Sequence, residues 1–118
     1  QALSEASFSR IGFVDINTFA HCYSLESISF PNVTSINDYA FYNCRILPTA
    51  SFPNVTFIGS GAFANCSRLS SISFPQVTYI GPYAFSGCVS LSAISLADVN
   101  NIGDHAFSQC YNLQSVSL

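Results

Sequence analysis

Lysine is absent from this sequence, and charged residues of either sign are scarce. Charged side chains make up 8% of the chain, the basic residues are Arg10, Arg45 and Arg68, and the formal net charge is −3. Such a chain has no basic face, so we expect no nucleic-acid partner and no attraction to anionic membranes. Apolar residues nevertheless make up 49% of the sequence, which excludes the low hydrophobicity of disordered proteins.

Long apolar runs and a secretion signal are also missing. No stretch approaches the roughly 20 apolar residues that a membrane helix needs, so we expect no membrane insertion. The first residues, Gln1 to Glu5, lack the basic and apolar regions of a signal peptide, and the sequence does not begin with Met. We therefore expect either a segment of a longer chain or a chain from which a signal has been removed.

Cysteine, by contrast, recurs every 22 residues without an insertion, at Cys22, Cys44, Cys66, Cys88 and Cys110. This regularity marks the phase of a repeat rather than a disulfide framework. Other apolar residues keep the same phase, and each unit reads C-x-x-L-x-x-I-x-F-P-x-V-x-x-I-G-x-x-A-F-x-x-C. One such unit cannot bury all its apolar side chains alone, whereas stacked units share one core.

The hydrophobic period changes inside each unit. Ser27-Ile28-Ser29-Phe30 alternates as a strand does, and Pro31 follows, where a parallel ladder must end. From Ile36 to Cys44 the apolar spacings predict a short helical turn, preceded by Gly and a capping residue or Pro in most units. We therefore predict an α/β repeat solenoid over residues 1–118, a single domain of about five repeats with one short parallel strand and one helical return per coil.

The strand motif L-x-x-I-x-F, followed by Val, and the return motif I-G-x-x-A-F-x-x-C resemble the BspA-like (bacterial surface antigen) class of leucine-rich repeats. The resemblance covers essentially the whole chain, with local departures such as Ala50 for Ile and Ala97 for Pro. It implies a non-enzymatic extracellular or cell-surface protein that acts in adhesion or in protein or glycan recognition. It offers no catalytic, cofactor-binding or metal-binding residues to carry over.

The cysteine column is predicted to be a ladder of buried free thiols that serve as small hydrophobes. Equivalent residues of stacked coils lie about 4.8 Å apart, whereas disulfide Cβ atoms need roughly 3.5–4.5 Å, so pairing between coils requires distortion. A zinc site needs four converging ligands, and this column is a single file. Disulfides and metal binding remain the alternatives.

Small hydroxyl side chains dominate the outward positions of the predicted strands: Ser27, Ser29, Thr49, Ser51, Ser71, Ser73, Ser95, Ser115 and Ser117. They form either a smooth binding face for a flat partner or a face that only solvates a tightly stacked sheet. No serine has a histidine at a plausible triad position, because His21 and His105 fall on the returns. We therefore predict no hydrolase chemistry.

A second outward column contains Phe13, Phe57 and Tyr79, with Ser35 and Asn101 in the same register. Phe57 and Tyr79 lie on adjacent coils, and we expect their rings to stack. Exposed aromatic residues can mark a contact patch for a partner or a sugar. Mutual packing on the flank of the solenoid explains the same residues equally well.

Three N-x-S/T sequences begin at Asn32, Asn54 and Asn65. The first two share a register just after the strand-ending proline and should be exposed, so we expect covalent N-linked glycans there if the chain is secreted by a eukaryotic cell. Asn65 is a weaker candidate because it precedes a cysteine predicted to be buried. Repetition of a turn sequence rich in Asn and Thr explains the pattern equally well.

No polar cap is evident at either end, since Ala2-Leu3 and Val116-Ser117-Leu118 are ordinary repeat sequence. Uncapped apolar ladders and strand edges favour further pairing, which predicts a segment of a longer solenoid or an assembling subunit. Two functional hypotheses follow. The first is a surface module that binds a protein or glycan, and the second is a subunit that binds its own copies, end to end or side by side, in an extracellular filament.

Overall fold

The computed structural model describes residues 5–7 and 12–117, which form stacked coils with two short strands in each repeat. The three-residue strands are β1 Glu5–Ser7, β3 Ser27–Ser29, β5 Thr49–Ser51, β7 Ser71–Ser73, β9 Ala93–Ser95 and β11 Ser115–Ser117. The two-residue strands are β2 Phe13–Val14, β4 Ser35–Ile36, β6 Phe57–Ile58, β8 Tyr79–Ile80 and β10 Asn101–Ile102. The sequence predicts the three-residue strands, but it gives no sign of the two-residue ones.

All strand pairs are parallel and join residues one repeat apart. The two-residue strands form one sheet, in the order β10-β8-β6-β4-β2, which we call the second sheet. The three-residue strands form three separate two-stranded sheets, β1-β3, β5-β7 and β11-β9. Pro48 stands directly before β5 and has no N–H to donate to the preceding coil. Nothing in the structure explains the missing ladder between β7 and β9.

The prediction of helical returns was wrong. The described residues contain no helix. In the return between β4 and β5, alternate N–H groups close reverse turns, as Ala40 N–H does onto Asn37 O at 3.3 Å. The N–H groups between them donate to the next coil, as Tyr39 N–H does to Ser60 O at 2.9 Å. Each return is therefore a chain of turns that is hydrogen-bonded to its neighbour.

Two positions of each return have a left-handed backbone, with φ between 57° and 76°. They lie five residues and one residue before each cysteine, at Asn17, His21, Tyr39, Asn43, Gly61, Asn65, Tyr83, Gly87, His105 and Gln109. A positive φ at the third residue of a turn is typical of type II turns and interrupts a right-handed α-helix. The inward apolar spacing is the same in a helix and in these turns, which is why the pattern favoured the wrong element.

Columns of like side chains fill the interior, as the repeat predicts. One column of phenylalanines stacks face to face with centroid separations of 5.1 to 5.4 Å, at Phe19, Phe41, Phe63, Phe85 and Phe107. A second column runs beside it at separations of 5.8 and 5.5 Å, at Phe30, Phe52 and Phe74. Rings of the two columns meet at 53° to 61°, so both stacked and edge-to-face contacts are used. Each coil therefore buries the rings of its neighbours.

Gly81 lies where its backbone closely approaches the backbone of the preceding coil. The glycines that precede the returns, Gly59, Gly81 and Gly103, do not have the positive φ that is typical of glycine in tight turns. A Cβ atom on Gly81 would instead lie 2.7 Å from the backbone N of Ser60 and 2.8 Å from the carbonyl carbon of Gly59. Backbone atoms cannot swing aside as a flexible side chain can, so the position admits no side chain without moving the coils apart.

The five cysteines are buried, and none forms a disulfide. Phe41 O accepts the N–H of Cys44 in its own coil and the thiol of Cys66 in the next, each at 3.2 Å. The thiols of Cys44, Cys88 and Cys110 make the same cross-coil bond to a phenylalanine carbonyl, at 3.1 to 3.2 Å. The cysteine column thus joins neighbouring coils through hydrogen bonds as well as through packing.

Burial raises the pKa of every one of these thiols, because the thiolate cannot be solvated in the core. The pKa of Cys44 rises from 9.0 to about 12, and repulsion from the neighbouring Cys22 adds to the effect of burial. Since the thiolate is the reactive form of cysteine, the folded chain keeps its thiols protonated and unreactive near neutral pH.

We predict that Gly81→Ala lowers the free energy of unfolding by about 1–3 kcal/mol, the usual range for overpacking. Urea denaturation followed by circular dichroism measures the change. Gly12→Ala is the matched control, because a Cβ atom there meets nothing within 4 Å, and its effect should stay within about 0.5 kcal/mol. Equal effects at the two positions would contradict the role given to Gly81.

We also predict that the chain loses stability as the pH rises from about 9 to about 12, the interval between the ordinary and the folded pKa of Cys44. The unfolded thiol ionises in this interval while the folded thiol keeps its proton, so alkali favours unfolding by about 1.4 kcal/mol per pH unit per thiol. Urea denaturation across this interval measures the slope, and Cys44→Ala should reduce it by the contribution of one thiol while the other four keep theirs. An equally steep loss in Cys44→Ala would show that this thiol does not contribute.

Candidate functional site

The three-residue strands present a row of small uncharged side chains to solvent. The exposed members, which we call the hydroxyl face, are Thr49, Ser51, Ser71, Ser73 and Ser95. Residues between them point inward, and Ala50 and Ile94 are 3% and 5% exposed. The side chains of Ser27, Ser29, Ser115 and Ser117 lie outside the described part of the structure. The hydroxyl face therefore stands on a backbone that the core holds in place from behind.

The second sheet carries the aromatic column. The rings of Phe57 and Tyr79 stack with their centroids 4.9 Å apart and their planes 4° apart. Phe13 belongs to the same sheet, but Ser35 lies between it and Phe57 in the strand register. The structure therefore brings two of the three aromatic residues together and separates the third by one small side chain.

A column of threonines runs beside the aromatic column. Thr34 Oγ1 donates to Gly12 O at 3.3 Å, and Thr56 Oγ1 donates to Thr34 O at the same distance. Thr78 Oγ1 continues the series by donating to Thr56 O at 3.2 Å. Because each hydroxyl proton is used within the solenoid, the hydroxyl oxygens retain lone pairs that can accept hydrogen bonds from a ligand.

The three candidate glycosylation residues, Asn32, Asn54 and Asn65, are all exposed. Asn54 Nδ2, the atom that a glycan would modify, donates to Pro31 O of the preceding coil at 2.8 Å. Asn65 is exposed although the next residue, Cys66, is buried, so burial of its neighbour does not shield it.

The sequence did not point to a further cluster on the returns of the first coils, which we call the return cluster. His21 Nδ1 lies 3.0 Å from Tyr23 Oη and 3.2 Å from Asn43 Nδ2. The ring of Tyr42 meets that of His21 edge-on at 5.3 Å, and the guanidinium of Arg45 lies 5.5 Å from the centre of the Tyr23 ring. Asn43 Oδ1 is buried and has no hydrogen-bond partner within the described residues. The signal in the sequence that could have predicted this cluster is the set of polar and aromatic residues directly before and after the cysteines.

The described ranges hold no cluster of side chains that could bind a metal ion. Within residues 5–7 and 12–117 there is no group of three or more His, Cys, Asp or Glu residues placed to hold a metal ion. The same residues include no helix with the length and apolar character needed to cross a bilayer. The surfaces that distinguish this chain are therefore the hydroxyl face, the aromatic column and the return cluster.

Solved bacterial structures share this fold. A leucine-rich repeat protein from Eubacterium ventriosum is 29% identical over 98% of this chain, with a TM-score of 0.86. A leucine-rich repeat protein from Bacteroides ovatus is 26% identical over 98% of this chain, with a TM-score of 0.76. The chain spans about a third of the length of these two relatives, 32% and 37% respectively.

A more distant structure shares the fold alone. It is a leucine-rich cell surface protein from Faecalibacterium prausnitzii, 19% identical over 98% of this chain and 59% of that chain, with a TM-score of 0.51. Among curated proteins, none matches this sequence significantly.

Residues 13–118 match the family described as the BspA type leucine rich repeat region, in 6 copies. That number is one more than the five repeats counted from the cysteines, and the matched residues include every described strand except β1. The match extends over most of the sequence and agrees with both the parallel strands and the solved relatives. The chain belongs to the BspA-type leucine-rich repeat family.

Proposed function

We propose that this chain is an extracellular recognition module that acts in adhesion by binding a partner protein on its hydroxyl face. The observation that carries the proposal is the row of small, exposed, uncharged side chains on strands whose alternate residues are fixed in the core. Such side chains let a partner approach the strands closely, and they lose little conformational freedom when they are covered. Hydroxyl groups also donate and accept hydrogen bonds, which suits a polar partner.

Membership of the family supports binding as the general role, because leucine-rich repeat domains generally mediate protein–protein interactions. It also supports a location at the cell surface, where proteins with BspA-type repeats are typically found. The relative from Faecalibacterium prausnitzii is itself described as a cell surface protein. An extracellular location and a role in adhesion are therefore the most economical proposal for this chain.

The second candidate function is self-association, and one observation favours it. Ile102 is 45% exposed, whereas Ile36, Ile58 and Ile80, its equivalents in earlier coils, are fully buried. Its side chain thus occupies an inward position that a further coil would cover. Either a further repeat of the same protein or a second copy of the chain could supply that coil, and a second copy would extend the core into a filament.

We predict that the double variant Ser51→Arg/Ser73→Arg loses partner binding. The wild-type chain is screened by biolayer interferometry against purified extracellular-matrix and cell-surface proteins, and the affinity of each binder is then measured for the variants. Two bulky charges at the centre of the hydroxyl face should weaken binding at least about tenfold, a change of about 1.4 kcal/mol. The control, Gln76→Arg/Asn100→Arg, adds the same charges at exposed positions off this face and should bind within about twofold of wild type.

A binder whose affinity is unchanged in Ser51→Arg/Ser73→Arg would refute the assignment of the hydroxyl face. The self-association hypothesis predicts a different result, namely that no protein of the panel binds while light scattering rises with chain concentration and electron microscopy shows filaments. Ile102→Asp should then abolish the filaments, because it places a charge on the apolar end of the core.

We further propose that the chain carries N-linked glycans at Asn32 and Asn54 when a eukaryotic cell secretes it. Both residues are exposed and follow the strand-ending prolines, and a modified Asn54 keeps one amide hydrogen for its bond to Pro31 O. Secretion from a mammalian cell line followed by mass spectrometry should show glycans at Asn32 and Asn54. Thr56→Ala should remove the glycan at Asn54 and leave that at Asn32. An unmodified wild-type chain would refute the proposal.

A further inference from the structure

We propose that Phe13, Ser35 and Phe57 form a binding slot for one neutral pyranose ring of a glycan. We call this place the Ser35 slot. It lies on the second sheet, whereas the proposed partner-protein site lies on the three-residue strands. The inference therefore concerns a separate site, and it does not depend on the function proposed for the hydroxyl face.

The width of the slot follows from the register of the second sheet. Phe57 and Tyr79 show that adjacent rings of this column lie nearly parallel, with centroids 4.9 Å apart. The next place in the column belongs to Ser35, which has no ring, and the place after that belongs to Phe13. Because neighbouring strands lie about 4.8 Å apart, Phe13 and Phe57 flank a gap of two strand spacings. The gap between them is therefore as wide as one further aromatic ring of the column would occupy.

The walls of this gap are accessible to a ligand. Tyr79 covers one side of the Phe57 ring, and the other side borders the place held by Ser35. The side chain of Phe57 is 37% exposed and that of Phe13 is 57% exposed. A ring bound midway would lie about 4.8 Å from each neighbour, which is within the range in which stacked rings attract.

The hydrogen-bonding groups beside the gap, and not its thickness, favour a sugar over an aromatic side chain. A flat aromatic ring also fits a spacing of about 4.8 Å, as the stacking of Tyr79 on Phe57 shows. A pyranose chair is thicker, and its axial C–H groups project towards both sides. It can therefore contact both phenylalanine rings at once.

The polar groups around the slot also suit a neutral sugar. Neither the aromatic column nor the adjoining column of Gly12, Thr34, Thr56, Thr78 and Asn100 contains a charged residue. The exposed hydroxyls of Thr34 and Thr56 donate within the solenoid and can accept from sugar hydroxyls. An anionic ligand would find no counter-charge here, since the charged residue next to Phe13 is the exposed carboxylate Asp15, whereas a neutral glycan would find both stacking surfaces and acceptors.

The test is a titration of the 15N-labelled 118-residue chain, followed by heteronuclear NMR. The probes are the neutral oligosaccharides cellotetraose, maltotetraose and mannotetraose, with N-acetyl-tyrosinamide as the aromatic probe. We expect at least one oligosaccharide to shift the amide signals of Phe13, Ser35 and Phe57, with a Kd of roughly 1 mM. The aromatic probe, which has a single hydroxyl to offer the threonine acceptors, should shift these signals less than the best oligosaccharide does.

Ser35→Phe places a ring in the slot and should weaken oligosaccharide binding at least about tenfold. Asn101→Phe is the matched control, because it adds the same ring next to Tyr79 without entering the slot, and it should bind as wild type does. A second pair of variants tests the slot by removing side-chain atoms instead of adding a ring. Phe13→Ala removes one wall and should also abolish the shifts, whereas Ile16→Ala truncates a side chain of the same coil that is equally exposed at 57% and should not.

Three results would overturn the proposal: no shift with any oligosaccharide, shifts that persist in Ser35→Phe, or shifts with N-acetyl-tyrosinamide alone. The last result would assign the slot to an aromatic side chain of another protein. If thermal melting shows that Ser35→Phe is unfolded, the Phe13→Ala and Ile16→Ala pair decides the matter. Loss of the slot leaves the Ser51→Arg/Ser73→Arg measurement unaffected, so failures of the two proposals are distinguishable.

Discussion

The close and constant separation of successive coils is the constraint on which the rest of this structure depends. It stacks the Phe41 and Phe63 rings at 5.1 Å and brings Thr56 N–H to within 2.9 Å of Thr34 O. The same separation leaves no room for a Cβ atom on Gly81. Core packing, hydrogen bonds and glycine placement are therefore three results of one repeat distance, and a change in one of them disturbs the others.

The cysteines meet this constraint in two ways, by packing and by hydrogen bonding. A thiol is small and apolar enough to fill a closed column, and its proton can reach a phenylalanine carbonyl of the preceding coil, as in the 3.2 Å bond from Cys66 Sγ to Phe41 O. Alanine would fill part of the same space but would lose the bond between coils. Burial also raises the pKa of each thiol, so the column gains cohesion without becoming a reactive site.

The sequence predicts those features that repeat with every coil. The 22-residue register, the buried columns, the three-residue strands and the stacking of Phe57 on Tyr79 all follow from it. The returns could not be predicted, because Tyr39 and Asn43 adopt positive φ although neither is glycine, and their inward neighbours have helical spacing. A strand of two residues, such as β4, is too short for an alternating pattern. The return cluster was missed because its contacts join residues from different columns.

Inward and outward columns differ in how much their residues vary from coil to coil. The inward column from Phe19 to Phe107 is phenylalanine in every coil, because each ring must cover the next. The outward column that contains Phe13, Ser35 and Phe57 varies from coil to coil, because a change there does not open the core. A small residue between two large ones produces a recess one coil wide at a defined place along the solenoid. On the proposal made for the Ser35 slot, its specificity comes from a departure from the repeat in one outward column, while the unchanged inward columns hold that departure at a fixed spacing.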